Sequence, residues 1–285
     1  MGAPSINAFF DEATNSVSYL VADPATGSAA IIDPVLDFDA ASGKVATRSA
    51  DRILASAQEQ GSRIEWVLET HVHADHLSAA ALIRERTGAK VGIGSGIADV
   101  QAVFGPLLGA SDLADRDFDQ RFADCETIAL GDLTIEVVAS PGHTPACVSY
   151  KIGNAVFVGD TMFMPDYGTA RTDFPGGNAG QLYRSIQRIL SLPRETRLYM
   201  CHDYKAPGRD HFAWETTVGE QLDHNVHIGG GKPEADFVEM REGRDATLNV
   251  PKLLYPAIQV NIRGGRLPPA ETDGSRYLRI PLTAA

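Results

Sequence analysis

Apolar and polar residues repeat along the chain with two different periods, and the switches between them divide it into strands and helices. Apolar runs at residues 16–21 and 29–32 flank the turn-forming residues 23–27, which predicts a pair of strands. Residues 48–60 carry apolar side chains at helical spacing and are followed by Gly61, which predicts a helix ended by a left-handed glycine. The chain therefore starts with strands and continues with alternating strands and helices.

Later strand-like runs are short, and several end in a loop that carries a histidine or an aspartate. These runs cover residues 64–68, 133–138, 148–152, 155–158 and 197–200. Further helices are predicted over residues 77–87, 181–190 and 212–226. From residue 229 onward glycine and proline are frequent and periodicity is weak, so we expect an extended tail without internal repeats.

Length and composition are typical of a globular chain with one main core. The 285 residues are 44% hydrophobic and 22% charged. We predict a main domain at residues 1–228 and a C-terminal extension at residues 229–285 that packs on it. Three cysteines without Cys-x-x-Cys spacing are predicted to be buried or inert thiols and favour a reducing, cytoplasmic setting. The absence of an export signal and of a long apolar run favours the same setting and argues against membrane insertion.

The charge balance limits the partners that this chain can bind. A net charge of −12 repels phosphate backbones and disfavours binding to nucleic acid. An anionic small molecule would need local arginine or lysine side chains to overcome the same field.

A cluster of metal-ligand residues directly follows the run at residues 64–68. Three histidines and one aspartate lie there within six residues: His71, His73, Asp75 and His76. Three later runs each end in one further ligand residue: His143, Asp160 and His202. Side chains at the ends of several strands can form a rigid site on one rim of a sheet, so these seven residues predict metal binding. Asp75 is also placed to cap the helix that follows.

The segments that carry these residues together resemble the signature of the metallo-β-lactamase superfamily. They read His71-x-His73-x-Asp75-His76, Pro141-Gly142-His143-Thr144, Gly159-Asp160-Thr161 and the segment around His202. The resemblance covers residues 15–204 and implies an α/β fold, a four-layer αββα sandwich of two mixed β-sheets flanked by helices. It also implies two metal positions at the open edge of the sheets, the first lined by His71, His73 and His143. The second would be lined by Asp75, His76 and His202, with Asp160 between the two.

Two further segments resemble a bacterial subgroup of the persulfide dioxygenase branch. They are Gly168-Thr169-Ala170-Arg171-Thr172-Asp173-Phe174 and His202-Asp203-Tyr204. That branch implies one Fe(II) per chain, held by the catalytic residues His71, His143 and Asp160, with cis positions left open. His73, Asp75, His76 and His202 would then support these ligands from outside. The implied partners are O2 and a small thiol or persulfide, because the implied reaction oxidises glutathione persulfide to sulfite and glutathione. The mitochondrial type has Gly-Cys-Gly where this chain has Gly168-Thr169-Ala170.

The alternative is a thioester hydrolase with two zinc ions, of the glyoxalase II (hydroxyacylglutathione hydrolase) type. Seven intact ligands permit two zinc ions, and zinc lowers the pKa of a bound water to about 7. That group usually carries an Arg-Phe-Phe-Glu-type segment where this chain has Arg-Thr-Asp-Phe. A β-lactamase is disfavoured, since those enzymes act outside the cytoplasm. The metal identity, the persulfide donor and a homo-oligomeric state stay open at this point.

Five residues are candidates for substrate binding: Arg171, Asp173, Tyr204, Asn261 and Arg263. The planar guanidinium of Arg171 suits a glutathione carboxylate, and an ion pair with Asp173 is the alternative. Tyr204 is expected either to position the substrate through its hydroxyl or to pack beneath the metal. Asn261 and Arg263 are candidates for the peptide tail, with surface roles as the alternative. Three other histidines are predicted to lie on the surface: His211, His224 and His227.

Overall fold

The computed structural model describes residues 2–282. Strands β1 (Ser5–Asp11) and β2 (Ser16–Ala22) form an antiparallel hairpin, and β2 is buried along its whole length. Val17, Tyr19 and Val21 pack toward a second sheet, whereas Leu20 and Ala22 pack toward helices. Successive strand side chains point to opposite faces. A strand that is apolar at both sets of positions must therefore lie between two layers.

The first sheet has six strands in the order β1-β2-β3-β6-β8-β9. The strands that follow β2 in it are β3 (Ser28–Ile32), β6 (Arg63–Leu68), β8 (Lys90–Gly94) and β9 (Gln120–Phe122). A smaller sheet, ordered β5-β4-β7, lies beside it and consists of β4 (Val35–Asp39), β5 (Lys44–Ala46) and β7 (Leu77–Ser78). Three parallel pairings follow two antiparallel ones in the first sheet, so this sheet is mixed.

The second sheet also has six strands, and they run β10 to β15 in chain order. They are β10 (Thr127–Leu130), β11 (Leu133–Ala139), β12 (Val148–Ile152), β13 (Ala155–Phe157), β14 (Arg197–Tyr199) and β15 (Glu215–Thr217). Only β13 and β14 pair in parallel within it. Facing apolar side chains of the two sheets form a buried cluster between them.

Helices cover the outer face of each sheet. They are α1 (Arg48–Glu59), α2 (Ala80–Thr87), α3 (Ile97–Leu107), α4 (Ala179–Leu190), α5 (Val218–His224), α6 (Glu234–Asp245) and α7 (Leu254–Asn261). The first three and α7 share a core with the first sheet, and α4, α5 and α6 share a core with the second. The predicted fold class, a four-layer αββα sandwich, is confirmed.

Helix α2 begins three residues later than predicted, and Asp75 does not cap it. Leu77 and Ser78 instead pair with β4 as a short strand. The Asp75 carboxylate accepts a hydrogen bond from Ser16 Oγ at 2.9 Å and lies 3.0 Å from His76 Nδ1. The carboxylate is therefore engaged at the histidine cluster rather than at the helix start.

The predictions for the last third of the chain were the least accurate. The expected helix over residues 212–226 splits, because residues 215–217 pair with β14 and only Val218–His224 is helical. Thr217 and Glu220 form a capping box, a signal that is visible in the sequence. The expected extended tail contains the helices α6 and α7. The proposed boundary at residue 228 stays a prediction, and residues 1 and 283–285 lie outside the described part.

Four connections bring the ligand-type residues to one rim of the sandwich. They follow β6, β11, β13 and β14, whose ends lie at that rim. Separately, none of the helices within residues 2–282 combines the length and apolar character that crossing a membrane requires.

Candidate metal centre

His71, His143 and Asp160 come together at one point of this rim, which we call position A. They offer ligand atoms that all lie within 4.8 Å of one another. Asp160 Oδ2 is 3.8 Å from His71 Nε2 and 3.5 Å from His143 Nε2. Two imidazoles and one carboxylate that converge in this way are a donor set that suits a transition-metal ion.

A second group lies beside the first, and we call it position B. His73, Asp75 and His202 also offer ligand atoms within 4.8 Å of one another, and His76 lies next to them. Asp75 Oδ2 is 3.7 Å from His202 Nε2 and 3.0 Å from His76 Nδ1. The structure thus brings all seven predicted ligand residues together. Asp160 and His202 also form a group of possible ligands with Cys201, which links the two positions.

Hydrogen bonds determine which ring nitrogen faces position A. His143 Nδ1 lies 2.7 Å from the carbonyl oxygen of Arg171, which can only accept, so Nδ1 carries the proton. The hydroxyl of Thr70 donates to Asp33 at 2.8 Å and therefore accepts from His71 Nδ1 at 3.0 Å. Nε2 of both histidines is left with a free lone pair.

The same reasoning applies to the histidines of position B. His202 Nδ1 donates to the carbonyl oxygen of Asn15 at 3.2 Å, and His76 Nδ1 donates to Asp75. The Nε2 atoms of His71, His76 and His202 are buried and have no hydrogen-bond partner among the described residues. Buried polar atoms normally have one. Unpartnered imidazole lone pairs that converge with carboxylates are what a bound metal ion would satisfy, so the residues fit a metal.

His73 differs from the other histidines because two buried acids lie behind it. Its Nε2 is 3.0 Å from Asp33 Oδ1 and 3.6 Å from Glu69 Oε2. Burial alone would lower the pKa of His73, but Asp33, Asp75 and Glu69 raise it to about 10. Burial also raises the pKa of Glu69, with a further contribution from Asp33, to about 7. His73 is thus drawn toward these acids through Nε2.

His71 is in an environment that favours the neutral ring. Burial, followed by the charges of His73 and His143, lowers its pKa well below the usual value. A neutral imidazole is the form that binds metal. The pKa of Asp75 is also lowered well below its usual value, since His202 and His76 outweigh the opposing effect of burial.

Arg171 and Asp173 pair with each other, which was the alternative to substrate binding. Arg171 Nε and Nη2 donate to the two Asp173 oxygens at 2.6 and 2.5 Å, and Nη1 donates to the carbonyl oxygen of Asn249 at 2.9 Å. Phe174 packs edge-on against His143, with ring centroids 5.0 Å apart. Three of the five N–H donors of Arg171 are thus engaged within the protein, as the ion-pair alternative predicts, and its contact with a substrate carboxylate stays a prediction. This segment orients His143.

Tyr204 lies at the mouth of the site. Its ring stacks on His202 with centroids 5.7 Å apart and is 40% exposed. Phe163 and Tyr167 lie beside it, at centroid distances of 6.1 and 5.2 Å. Tyr204 thus remains a candidate for contact with a substrate.

Asn261 is a support for the histidine loop rather than a substrate residue. It is buried, its Nδ2 donates to the carbonyl oxygens of His73 and His76 at 2.9 and 2.8 Å, and its Oδ1 accepts from Ser78 N. The predicted contact with a peptide tail is corrected, as is the surface alternative. Its amide satisfies backbone groups that a loop rich in side-chain ligands leaves unpaired.

Arg263 is also buried and does not reach the metal centre. Its guanidinium pairs with Asp112, with Nη2 2.6 Å from Oδ1, and also donates to the carbonyl oxygen of Gln259. Since the side chain is buried and engaged with these two partners, the surface role is corrected and the substrate contact stays a prediction.

Two residues of α6 were not anticipated by sequence reasoning and support the segment around Arg171. The buried Arg241 donates to Asp245 Oδ1 at 2.6 Å and to the carbonyl oxygen of Thr169 at 3.1 Å. Asp245 Oδ2 accepts from Thr172 N at 2.8 Å. The pair therefore fixes the backbone on both sides of Arg171. The sequence feature that could have revealed the two residues is the four-residue spacing of Phe237, Arg241 and Asp245, which form the buried face of α6.

The three remaining histidines do not behave alike. His211 and His224 are exposed, as predicted. His227 is buried, so that prediction was wrong, and its Nδ1 accepts a hydrogen bond from Thr169 N at 3.0 Å. Among the cysteines, Cys147 and Cys201 are buried and Cys125 is exposed.

Comparison with known families accounts for this arrangement. Residues 11–202 match the sequence model described as the metallo-beta-lactamase superfamily. The chain belongs to the metallo-beta-lactamase superfamily. It carries the histidine and aspartate residues with which that superfamily binds metal and is a metal-dependent enzyme of this group.

Several relatives are similar over nearly the whole chain. A probable metallo-hydrolase of Burkholderia pseudomallei is 51% identical over 98% of this chain and 99% of that protein. Glyoxylase B2 of Dictyostelium discoideum is 46% identical over 92% of this chain and 91% of that protein. The beta-lactamase hydrolase-like protein of Agrobacterium fabrum is 52% identical over 98% of this chain, which spans 65% of that longer protein.

Similarity also extends to the persulfide dioxygenase branch. The human mitochondrial persulfide dioxygenase ETHE1 is 33% identical over 93% of this chain and 90% of that protein. The crystal structure of ETHE1 from Myxococcus xanthus superposes with a TM-score of 0.74 at 33% identity, covering 92% of this chain and 100% of that one. The predicted resemblance to this branch of the metallo-beta-lactamase superfamily is thus confirmed at the level of family.

Proposed function

We propose that this protein is an iron-dependent persulfide dioxygenase that acts on glutathione persulfide or a similar small persulfide. The main support is the separation of the ligands: His71, His143 and Asp160 converge at position A without His73. Two imidazoles and one carboxylate suit a single Fe(II) with open cis positions. Bound there, iron would supply a place for the substrate sulfur and O2 to meet.

The proposed reaction balances without another cofactor. One glutathione persulfide, one O2 and one water give glutathione, sulfite and two protons. The outer sulfur of the persulfide is oxidised, O2 is reduced, and the sulfur–sulfur bond is broken. The water restores the thiol, so no external electron donor is required.

The surroundings of position A are suited to orienting a ligand and excluding water. Thr70 and the carbonyl oxygen of Arg171 hold the two imidazoles with Nε2 toward the metal position. On the outer side of His143 the wall is apolar and includes Val72, Phe174 and Ile258. Few polar groups compete there with a small apolar gas such as O2, and the apolar wall limits entry of water.

An open cavity of about 450 Å³ borders His76 and offers space for the rest of the substrate. Its lining includes Lys44 and Arg48. Lys44 has no ion-pair partner among the described residues, and the exposed Arg48 guanidinium meets only Asp37, at 3.4 Å. Because Arg171 is engaged elsewhere, these cations are the better candidates for an anionic end of the persulfide.

The test is oxygen uptake by the protein loaded with Fe(II), on addition of glutathione persulfide, with His71→Ala as the blank. We expect uptake and sulfite formation in equal amounts, both lost in the variant. No uptake by a sample whose iron content has been verified would contradict the proposed function for this substrate.

A zinc-dependent thioester hydrolase is the second candidate, and position B is the observation that favours it. All seven ligands are present, and His73, Asp75 and His202 converge as a second group. The names of two relatives also refer to hydrolases. Hydrolysis of a glutathione thioester by protein holding two zinc ions, without need for O2, would favour this candidate.

A further inference from the structure

Asp160 lies between the two metal positions, and its two oxygens face different ways. Oδ2 is the oxygen nearest to His71 and His143 at position A. Oδ1 lies on the side of position B, 3.5 Å from His202 Nε2. A carboxylate can serve two metal ions by giving one oxygen to each of them or by sharing one oxygen, and the first arrangement needs a free Oδ1 on the side of position B.

The thiol of Cys201 already occupies Oδ1. Cys201 Sγ lies 2.8 Å from Asp160 Oδ1, and because a carboxylate only accepts, the thiol is the donor. Cys201 is buried and packs with Phe163 and Ala170. Its carbonyl oxygen also accepts a hydrogen bond from Val17 N at 2.7 Å, which anchors the backbone. The thiol is therefore held in place against Asp160.

We infer that Cys201 is a positioning residue that directs Asp160 toward position A and disfavours a second metal ion at position B. The thiol hydrogen bond uses a lone pair of Oδ1 that an ion at position B could otherwise bind. The same hydrogen bond fixes the carboxylate rotation that leaves Oδ2 facing His71 and His143. This inference rests on the proposed function only in taking position A as the site of the working metal.

The experiment is a count of bound metal in the full-length protein. Wild type, Cys201→Ala and Cys201→Ser are loaded anaerobically with excess Fe(II) or Zn(II), desalted and analysed for metal per chain. We expect about one ion in wild type and close to two in Cys201→Ala, because Oδ1 is then free to bind. Cys201→Ser should stay near one ion, since a hydroxyl can also donate to the carboxylate.

Cys147→Ala is the matched control. Cys147 is also buried, but its sulfur accepts from Thr144 N at 3.3 Å and makes no hydrogen bond with Asp160. This variant should bind metal as wild type does. Thermal unfolding of each variant shows whether a change in metal content accompanies a loss of folded protein.

Two results would overturn the inference. One is an unchanged count of about one ion in folded Cys201→Ala, and the other is a count of two ions in wild type. Oxygen uptake is measured on the same samples, so the two failures can be told apart. If wild type consumes oxygen and the metal count of Cys201→Ala is unaltered, the role of Cys201 is contradicted and the proposed function stands. If wild type consumes no oxygen, the proposed function is contradicted, and the metal counts still test the role of Cys201.

Discussion

Positions A and B lie side by side and share Asp160, but the protein treats their ligands differently. At position A the histidines are oriented by uncharged groups, a threonine hydroxyl and a backbone carbonyl. At position B two histidines lie against the protein's own carboxylates, His73 against Asp33 and Glu69, and His76 against Asp75. The third, His202, is oriented by the carbonyl oxygen of Asn15. Buried ring nitrogens without a hydrogen-bond partner occur at both positions, so the difference lies in the buried acids behind His73 and the carboxylate beside His76.

A complete set of ligand residues does not by itself fix the number of metal ions, because the ligands also have to be free to bind. Removing an ion from water is costly unless its new ligands are free and well oriented. At position A that condition holds for His71 and His143. At position B it holds for Nε2 of His76 and His202. An ion bound there by His73 or Asp75 would compete with the contacts that these residues make to Asp33 and His76.

The largest expected effect comes from removing one histidine at each position. His71→Ala should lower iron content and oxygen uptake by at least about 100-fold, since loss of a ligand exceeds the 10- to 100-fold typical of supporting residues. His73→Ala should retain iron and lower oxygen uptake by about 10-fold or less. Metal analysis together with oxygen uptake checks both variants, and equal losses in the two would remove the distinction between the positions.

The next effect tests the support that α6 gives to position A. Asp245→Ala leaves Arg241 buried without its partner and should lower the free energy of unfolding by about 3–5 kcal/mol. Replacing both, as Arg241→Met with Asp245→Leu, should restore most of this stability, because neither charge is then unpaired.

The double variant separates stability from positioning. It still lacks the hydrogen bonds to Thr169 and Thr172, so iron affinity should remain about 10-fold or more below wild type. Urea unfolding and competitive iron titration measure the two quantities. A stable double variant with wild-type iron affinity would show that α6 contributes to stability alone.

A smaller effect distinguishes Lys44, which lines the cavity that borders His76, from Arg171, whose segment contacts His143. Lys44→Ala should raise KM for an anionic persulfide by about 10-fold with little change in kcat, since it removes a binding contact and no metal support. Arg171→Ala should instead lower iron retention, because its pairing with Asp173 holds the segment that touches His143. Steady-state kinetics with metal analysis decide this, and the reverse pattern would return Arg171 to the substrate site.

The smallest effect is a dependence of stability on pH through His227. Its Nδ1 must stay unprotonated to accept from Thr169 N, and burial, with the nearby positive charges, lowers its pKa to about 4. The charged groups that act on it are Arg241, Arg244, Lys232 and Asp245. A histidine with a lowered folded pKa binds its proton less readily when folded. Its contribution is therefore present above about pH 6.5 and lost as the pH falls toward 4.

Between pH 7 and pH 5 this corresponds to about 1–2 kcal/mol in the free energy of unfolding. His227→Asn keeps an acceptor and cannot titrate, so its unfolding free energy should change less over that interval. Urea unfolding at several pH values measures the difference. Identical pH dependence in the two proteins would show that other groups cause it.

The sequence was sufficient for the ligands because each follows a strand whose apolar pattern is clear. The loops after β6, β11, β13 and β14 therefore reach one rim, and the resemblance to a known superfamily agrees with that placement. The roles of Arg171 and Asn261 could not be inferred in this way. Whether a guanidinium or an amide faces a substrate or a backbone carbonyl depends on packing between residues 78 and 188 positions apart, as the contacts to Asn249 and His73 show.

The end of the chain was mispredicted for a related reason. The apolar face of α6 is narrow and includes a buried ion pair, so its periodicity does not stand out. Arg241 reads as a surface residue in the sequence, since arginine is rarely fully buried without a partner. Its partner Asp245 and its backbone contact at Thr169 become visible only when the fold brings them together.

The most direct test of the central claim, one working metal at position A, is oxygen uptake as a function of iron bound per chain. Apoprotein is titrated anaerobically with Fe(II), and each sample is then assayed with glutathione persulfide. We expect uptake to rise in proportion to iron and to level off at about one ion per chain. Uptake that appears only beyond one ion, or none at any iron content alongside thioester hydrolysis with two zinc ions, would contradict it.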